Sequence, residues 1–414
     1  MISTVRSAGT MVGFGLGCAR DNSIEPGDQM TSSHRFGSRR WVALAAAVLL
    51  FSGLAAPADA APGDVVQTAG LNSDGQLGSG NTTNRPSFAS VAGLANVDEV
   101  GGGREHALAR IGGQVYAWGD GSRGATGQGN LADRTTPGLV TGLSTVTQIA
   151  TAHYGSYALL ADGTVRSWGY NSSGQLGDGT TTTRTRPVTV LGLSSVTQIA
   201  AGRDMAMALR SDGRVWTWGL NTSGELGNGT TSTRQPTPAL VPGLTGVTSL
   251  AGGRNHVLAV MADGTVRAWG QNTYGQVGTG TTSASQTSPI TVAGISNAVA
   301  VRAGAEFSVA LLADGRVMTW GRNNNGQLAS GNKINRSSPG FVAGLSGITS
   351  IGCGRGHGLA IGAGGQLYGW GLDNFGQLGD RVGTPRLTAT LIPGVTGVKE
   401  AHAGYAYSVI RRGT

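Results

Sequence analysis

Seven copies of a unit of about fifty residues run along this chain. Each copy is marked by Trp-Gly followed by Asn-x-x-Gly-Gln-Leu-Gly, as in Trp168-Gly169-Tyr170-Asn171-Ser172-Ser173-Gly174-Gln175-Leu176-Gly177. The mark returns at Trp118, Trp218, Trp269, Trp320 and Trp370. It is degenerate at Ala69, where Gly70, Asn72 and Gly75-Gln76-Leu77-Gly78 follow. Successive marks lie 49, 50, 50, 51, 51 and 50 residues apart. A fixed period of this size belongs to solenoids, propellers and arrays, because one unit cannot bury its apolar face alone. The 414 residues are therefore not two or three ordinary domains; seven units fill almost everything after residue 60.

Within a unit the pattern is that of short strands. In the copy from Ser195 to Leu244, Val196–Ala201 is a β-branched run ending in Gly202-Arg203. Ala206–Leu209 is a second apolar run, closed by Asp212-Gly213, and Asp-Gly between two such runs is a hairpin signal. Arg214–Trp218 alternates between two faces, and Pro236–Val241 reads as an edge strand that tolerates Pro. No helical period of ten or more residues occurs in the repeats. The expected fold is all-β: four-stranded antiparallel blades of a propeller. After the first sixty residues the chain begins with a third strand, Asp64–Gly70, and it finishes with a first and a second, Glu400–Ile410. A ring would close by pairing the two ends in one composite blade, which leaves no open sheet edge.

These units resemble repeats of the regulator of chromosome condensation family, which are seven-bladed β-propellers. The resemblance rests on Ile199–Gly202, Ala208-Leu209, Asp212-Gly213, Trp218–Gly227 and the Pro residues near 236, and it covers roughly residues 63–414. Kelch repeats share the period but lack Gly-Gln-Leu-Gly. The expected domain is one propeller over residues 61–414.

The preceding sixty residues read as a leader. Arg35, Arg39 and Arg40 precede an apolar run from Trp41 to Ala56, and Ala58-Asp59-Ala60 supplies a small-x-small site. These are the parts of a secretory signal peptide cleaved after Ala60. The run is short for a membrane span. Met30 would give a leader of conventional length, and Ser38-Arg39-Arg40-Trp41-Val42 resembles a twin-arginine signal, with the general secretory route as the alternative. The expected location is extracellular or in the cell envelope. After cleavage only Cys353 remains, so no internal disulfide can form.

The formal charge of +8 is carried almost wholly by Arg; the only Lys residues are Lys333 and Lys399. Such a balance favours an acidic partner. Nucleic acid is not expected, because the Arg residues are spread one or two per repeat rather than gathered in a patch. Arg85, Arg134, Arg184, Arg234, Arg336 and Arg386 each stand sixteen residues after a mark, with Ser285 the exception. Loop bracing is the favoured role, and a basic ring for an acidic partner is the alternative.

In an antiparallel blade the first and third turns share one face. That face would carry the Gly-Arg turns and the Asn loops; the Asp-Gly turns would lie opposite. Arg104, Arg203, Arg254 and Arg355 share one phase of the first turn; Glu105, Asp204 and Glu306 share the next; His106, His256 and His357 follow one residue later. All are expected on one face near the axis. Tyr154, Met205, Phe307 and Tyr405 vary this turn. The candidate partner-binding residues are Arg104, Tyr154, Arg203, Arg254, Phe307, Arg355 and Tyr405. The carboxylates could serve a glycosidase-like pair, but nothing breaks the sevenfold pattern as a catalytic centre would. No P-loop, His-Glu-x-x-His, Gly-x-Ser-x-Gly or calcium loop occurs, so no catalytic residue, metal or cofactor is implied.

Three functions compete. The favoured one is a secreted, non-enzymatic, monomeric scaffold that binds a protein. One special case resembles secreted propeller inhibitors of β-lactamases, whose units are shorter. The family resemblance also implies guanine-nucleotide exchange on a small GTPase. That role needs a projecting element, for which units of 49–51 residues leave no room. The third is a secreted enzyme acting on glycans.

Overall fold

The computed structural model describes residues 63–413; the expected signal peptide, its cleavage site and the alternative start at Met30 lie outside the described residues. The described residues form 28 strands in seven separate four-stranded antiparallel sheets, with no helix. In the third blade the strands are Val196–Ala201, Met205–Arg210, Val215–Asn221 and Ser232–Leu240. The fourth begins four residues before Pro236 (Ser232 against the expected Pro236). Pro236 falls where the register shifts between Thr217↔Ala239 and Gly219↔Gln235, so no ladder amide is missed there.

The first strand of every blade touches the first strands of both neighbours, and the series closes from Val398–Ala403 back to Glu99–Gly102. Seven blades thus stand around one axis: first strands line it and fourth strands lie outermost. The fold is a closed seven-bladed β-propeller. In order from the outside, the closing blade is Arg85–Ser90, Val65–Gly70, Tyr407–Arg412 and Val398–Ala403, two strands from each end of the ring. Its seam runs from Val65↔Arg412 to Gly70↔Tyr407. Asp64 locks the start of that seam: its buried carboxylate accepts from Arg411 Nη1 and from Lys399 Nζ, both at 2.7 Å.

The blade-to-blade contacts explain the marks. Six Trp side chains are fully buried, and each indole Nε1 donates to the carbonyl of the Gly-Gln-Leu-Gly loop in the preceding blade. Trp118 reaches Gln76 at 2.9 Å, Trp218 reaches Gln175 at 2.8 Å and Trp370 reaches Gln327 at 2.9 Å. One such indole buries about 200 Å², or about 5 kcal/mol at 25 cal/mol per Å² as an upper bound. The loop's last Gly sits against the ring; a Cβ on Gly227 would lie 2.8 Å from Trp269 Nε1. The degenerate first copy lacks this indole at Ala69. There Phe88, from the outermost strand, takes the ring's place against Gly379.

The loop Asn residues fasten their own loops. Asn171 Oδ1 accepts from the Leu176 amide at 2.9 Å, while Nδ2 donates to the Thr180 and Thr182 carbonyls at 3.1 Å. The Arg residues sixteen positions after the marks mostly brace their surroundings. Arg184 pairs with Asp178 and Arg386 with Asp380, both at 2.8 Å, and Arg85 donates to the Thr68 and Ala89 carbonyls.

Candidate functional site

The first turns are tied by their backbones into an arc that runs around the axis from Arg203 to His153. The Tyr405 amide donates to the Arg104 carbonyl at 3.0 Å, and Arg104 in turn to His153 at 3.1 Å. Arg203 donates to Arg254, Arg254 to Ala305, Ala305 to Arg355 and Arg355 to Gly404, at 3.1–3.3 Å. Glycine before the Arg permits this approach: a Cβ on Gly253 would lie 2.6 Å from the Gly304 carbonyl oxygen. The turns surround a central funnel of about 620 Å³.

Six of the seven sequence-predicted residues meet at the mouth of this funnel: Arg104, Tyr154, Arg203, Arg254, Arg355 and Tyr405. Phe307 does not. It is fully buried in the core between the fifth and sixth blades. The turn faces the funnel at the Arg phase, but the residue three places after the Gly starts the second strand and points between blades. Met205 is buried for the same reason.

The three His at that phase are likewise buried between blades, not gathered at the axis. His106, His256 and His357 each place Nε2 3.0 Å from the Oγ of Ser156, Ser308 or Ser408 in the next blade. Each Ser hydroxyl donates to a loop carbonyl, so the imidazole must be the donor at Nε2. Burial holds their pKa values down, to about 4 for His106 and about 3 for the other two, so all three are neutral at pH 7. Among the described residues no cluster of three metal-ligating side chains is present.

Around one side of the mouth runs an alternating arc of Arg and Tyr. Arg355 stacks on Tyr405 at 4.4 Å and donates to its hydroxyl; Arg104 lies between Tyr405 and Tyr154, at 4.9 and 5.1 Å. Arg123 then lies between Tyr154 and Tyr170, at 4.3 and 4.9 Å. Six side chains from four consecutive blades are thus stacked in one row. Arg123 and Tyr170 were not among the sequence candidates. Their signal was present, since both fill variable places around the Asn-x-x-Gly loop. The same junction between the fourth and fifth blades carries the swapped pair, with Arg322 4.7 Å over Tyr274.

The rim carboxylates are spent on the same guanidinium groups. Glu105 pairs with Arg104 at 3.3 Å and Asp204 with Arg203 at 2.6 Å, while Glu306 accepts from Arg254 and Arg322. Burial raises the Glu105 carboxyl against the pull of Arg104. Each of these acids is paired with an Arg. His153 registers the local field: burial first, then Arg104, Arg203 and Arg254, push its pKa down to about 3. The funnel lining carries the guanidinium groups of Arg104, Arg203, Arg254, Arg302 and Arg355 against the carboxyls of Asp204 and Glu99. Its potential is positive.

A family model, the RCC1-like domain, matches residues 65–410, the whole ring from the seam strand onward. The chain belongs to the RCC1-like domain family. The Ultraviolet-B receptor UVR8 of Arabidopsis thaliana is 34% identical over 93 residues, which is 22% of this chain and 21% of the receptor. The matched stretch thus spans about a fifth of that relative's length. Two solved structures share the fold over most of the chain. Prp20p of Saccharomyces cerevisiae has a TM-score of 0.77 at 22% identity, covering 85% of this chain and 92% of that one. Human WBSCR16 has a TM-score of 0.76 at 22% identity, covering 85% and 99%.

Proposed function

We propose that this RCC1-like propeller is an exported, non-enzymatic docking body whose protein partner seats on the Gly-Arg face. The carrying observation is the arc Arg355–Tyr405–Arg104–Tyr154–Arg123–Tyr170. Tyr and Arg dominate the energetics of protein interfaces because they bury large surface and keep a polar handle. Here they are stacked before any partner arrives, on turns linked by backbone hydrogen bonds, so less side-chain freedom remains to be lost on binding. Support for docking also comes from the Prp20p structure, which is reported together with that protein's binding to Gsp1p and histones. Export is supported by the basic, apolar and small-x-small order of Arg39-Arg40, Trp41–Ala56 and Ala58-Asp59-Ala60. Nucleotide exchange draws less support, because near-equal spacing of the marks leaves no long insertion to project from a blade.

Affinity capture from culture supernatant and envelope fractions tests the reading. The unsubstituted chain is expected to retain a partner that Arg203→Ala and Tyr405→Ala chains release, with melting temperatures unchanged. Equal retention by both variants would remove the Gly-Arg face from consideration.

A further inference from the structure

One position of the first strands, held by Glu400, Glu99, Gln148 and Gln198, has one role in four consecutive blades. Glu400 accepts from the Val100 amide at 3.1 Å and Glu99 from the Ile149 amide at 3.0 Å. Gln148 exchanges two hydrogen bonds with Ile199 at 2.8 and 3.0 Å, and Gln198 two with Leu250 at 3.2 and 3.3 Å. Each long side chain clasps the backbone of the next blade. In the remaining three blades the position holds a short residue: Ser249, Ala300 or Ser350. On that side of the axis the funnel receives Arg302 instead, beside Cys353 and His402.

Arg302 Nη1 donates to the Val301 carbonyl at 3.0 Å, and among the described residues it forms no ion pair. Glu400 attracts it from a distance but is already engaged by Arg411, His402 and Val100. Cys353 supplies no negative charge, since burial pushes its thiol up to about 12. A partly buried guanidinium without a counter-ion is costly, and an anion would reduce that cost. The way to it is lined by Arg203, Arg254 and Arg355, of which Arg355 has no acid of its own. The volume of about 620 Å³ lies within the usual range of small-ligand sites.

We propose that the central funnel is a carboxylate site. A ligand bearing two or more carboxylates enters from the Gly-Arg face; one carboxylate pairs with Arg302 and the others meet Arg254 and Arg355. This site stands on Arg302 and the short residues around it, shares only Arg355 with the Arg–Tyr arc, and so goes beyond the docking reading. The carboxylates can belong to a free polycarboxylic acid or to an acidic segment of a docked protein.

Calorimetric titration of the purified full chain with citrate, and separately with a hexaglutamate peptide, tests the site. At least one probe is expected to bind once per chain and to weaken as salt rises from about 0.05 to about 0.5 M. Its affinity should fall about tenfold or more in both Arg302→Gln and Arg355→Gln, since each removes a charge-assisted hydrogen-bond donor. Binding of citrate identifies a free acid as occupant, and binding of hexaglutamate alone identifies a peptide segment. Arg302→Gln loses no ion pair and relieves an uncompensated charge, so its melting temperature should not fall; Arg355→Gln, at the open mouth, serves as a second variant. No binding of either probe at low salt, or unchanged binding in Arg302→Gln, overturns the site. Partner capture read with Arg203 and Tyr405 succeeds or fails separately.

Discussion

Glu99 holds the place that Gln148 and Gln198 hold in the next two blades, and differs from them by one ionisable group. Burial, together with the Glu400 carboxylate nearby, pushes the Glu99 carboxyl up to about 8, although Arg110 and the Ile149 amide pull the other way. A carboxyl whose folded pKa is raised contributes stability that is full below its unfolded value and lost as pH rises through the folded one. Ionisation of Glu99 should therefore weaken the ring between about pH 4.5 and about pH 8. Glu99→Gln should convert the clasp to the uncharged form of its neighbours. Its melting temperature, measured against pH, should gain on the unsubstituted chain as pH rises from about 6 to about 9, by the order of 1 kcal/mol per pKa unit relieved. A constant gap across that range would show that Glu99 does not titrate there. At this scale the sequence was only partly legible. The Arg phase and the two Tyr at the mouth could be placed from the period alone. Phe307 and the three His could not, because one residue along the turn decides between funnel and core. Arg302 gave no signal, because its meaning depends on short residues in three first strands being adjacent across the axis.

At the scale of the element, strands and turns followed directly from Trp-Gly, Asp-Gly and alternating apolar residues. The hydrogen bond that fixes each blade junction did not. Each Trp is held by a carbonyl of the preceding blade, a contact between residues more than forty positions apart, as in Trp118 to Gln76. The degenerate copy is the informative one: Ala69 has no ring, and Phe88 supplies one from a different strand. Phe88→Ala should open a gap at the closing junction and cost about 2 kcal/mol, below the usual range for a fully buried Phe because this ring is only partly buried. Denaturant midpoints of Phe88→Ala and of an exposed control such as Phe375→Ala should differ clearly. Equal midpoints would mean that Phe88 does not stand in for the missing indole. The outer Arg series was also legible in outline, since Arg184 and Arg386 brace loop carboxylates as expected.

At the scale of the whole molecule, the two unmatched ends announced the closing blade, and the strand order bears this out. Sheets in a ring share stability with their neighbours, so loss of one seam should be felt throughout. Asp64 anchors that seam through Arg411 and Lys399, and Asp64→Asn leaves a buried guanidinium short of its partner. That change should cost about 3 kcal/mol, and deletion of residues 64–70 should lower the melting temperature further. A melting curve unaffected by the deletion would argue against ring closure through this strand. If the leader is a signal peptide, amino-terminal sequencing of exported chain should begin near Ala61; an intact leader on cytosolic chain would instead favour the GTPase reading. The docking claim itself is tested most directly by hydrogen–deuterium exchange of the chain with and without its captured partner. Protection is expected in the turns around Arg104, Tyr154, Arg203, Arg355 and Tyr405, and in the loop holding Arg123 and Tyr170. Protection confined to the opposite turns at Asp162, Asp212 and Asp263, with the Gly-Arg turns unchanged, would contradict it.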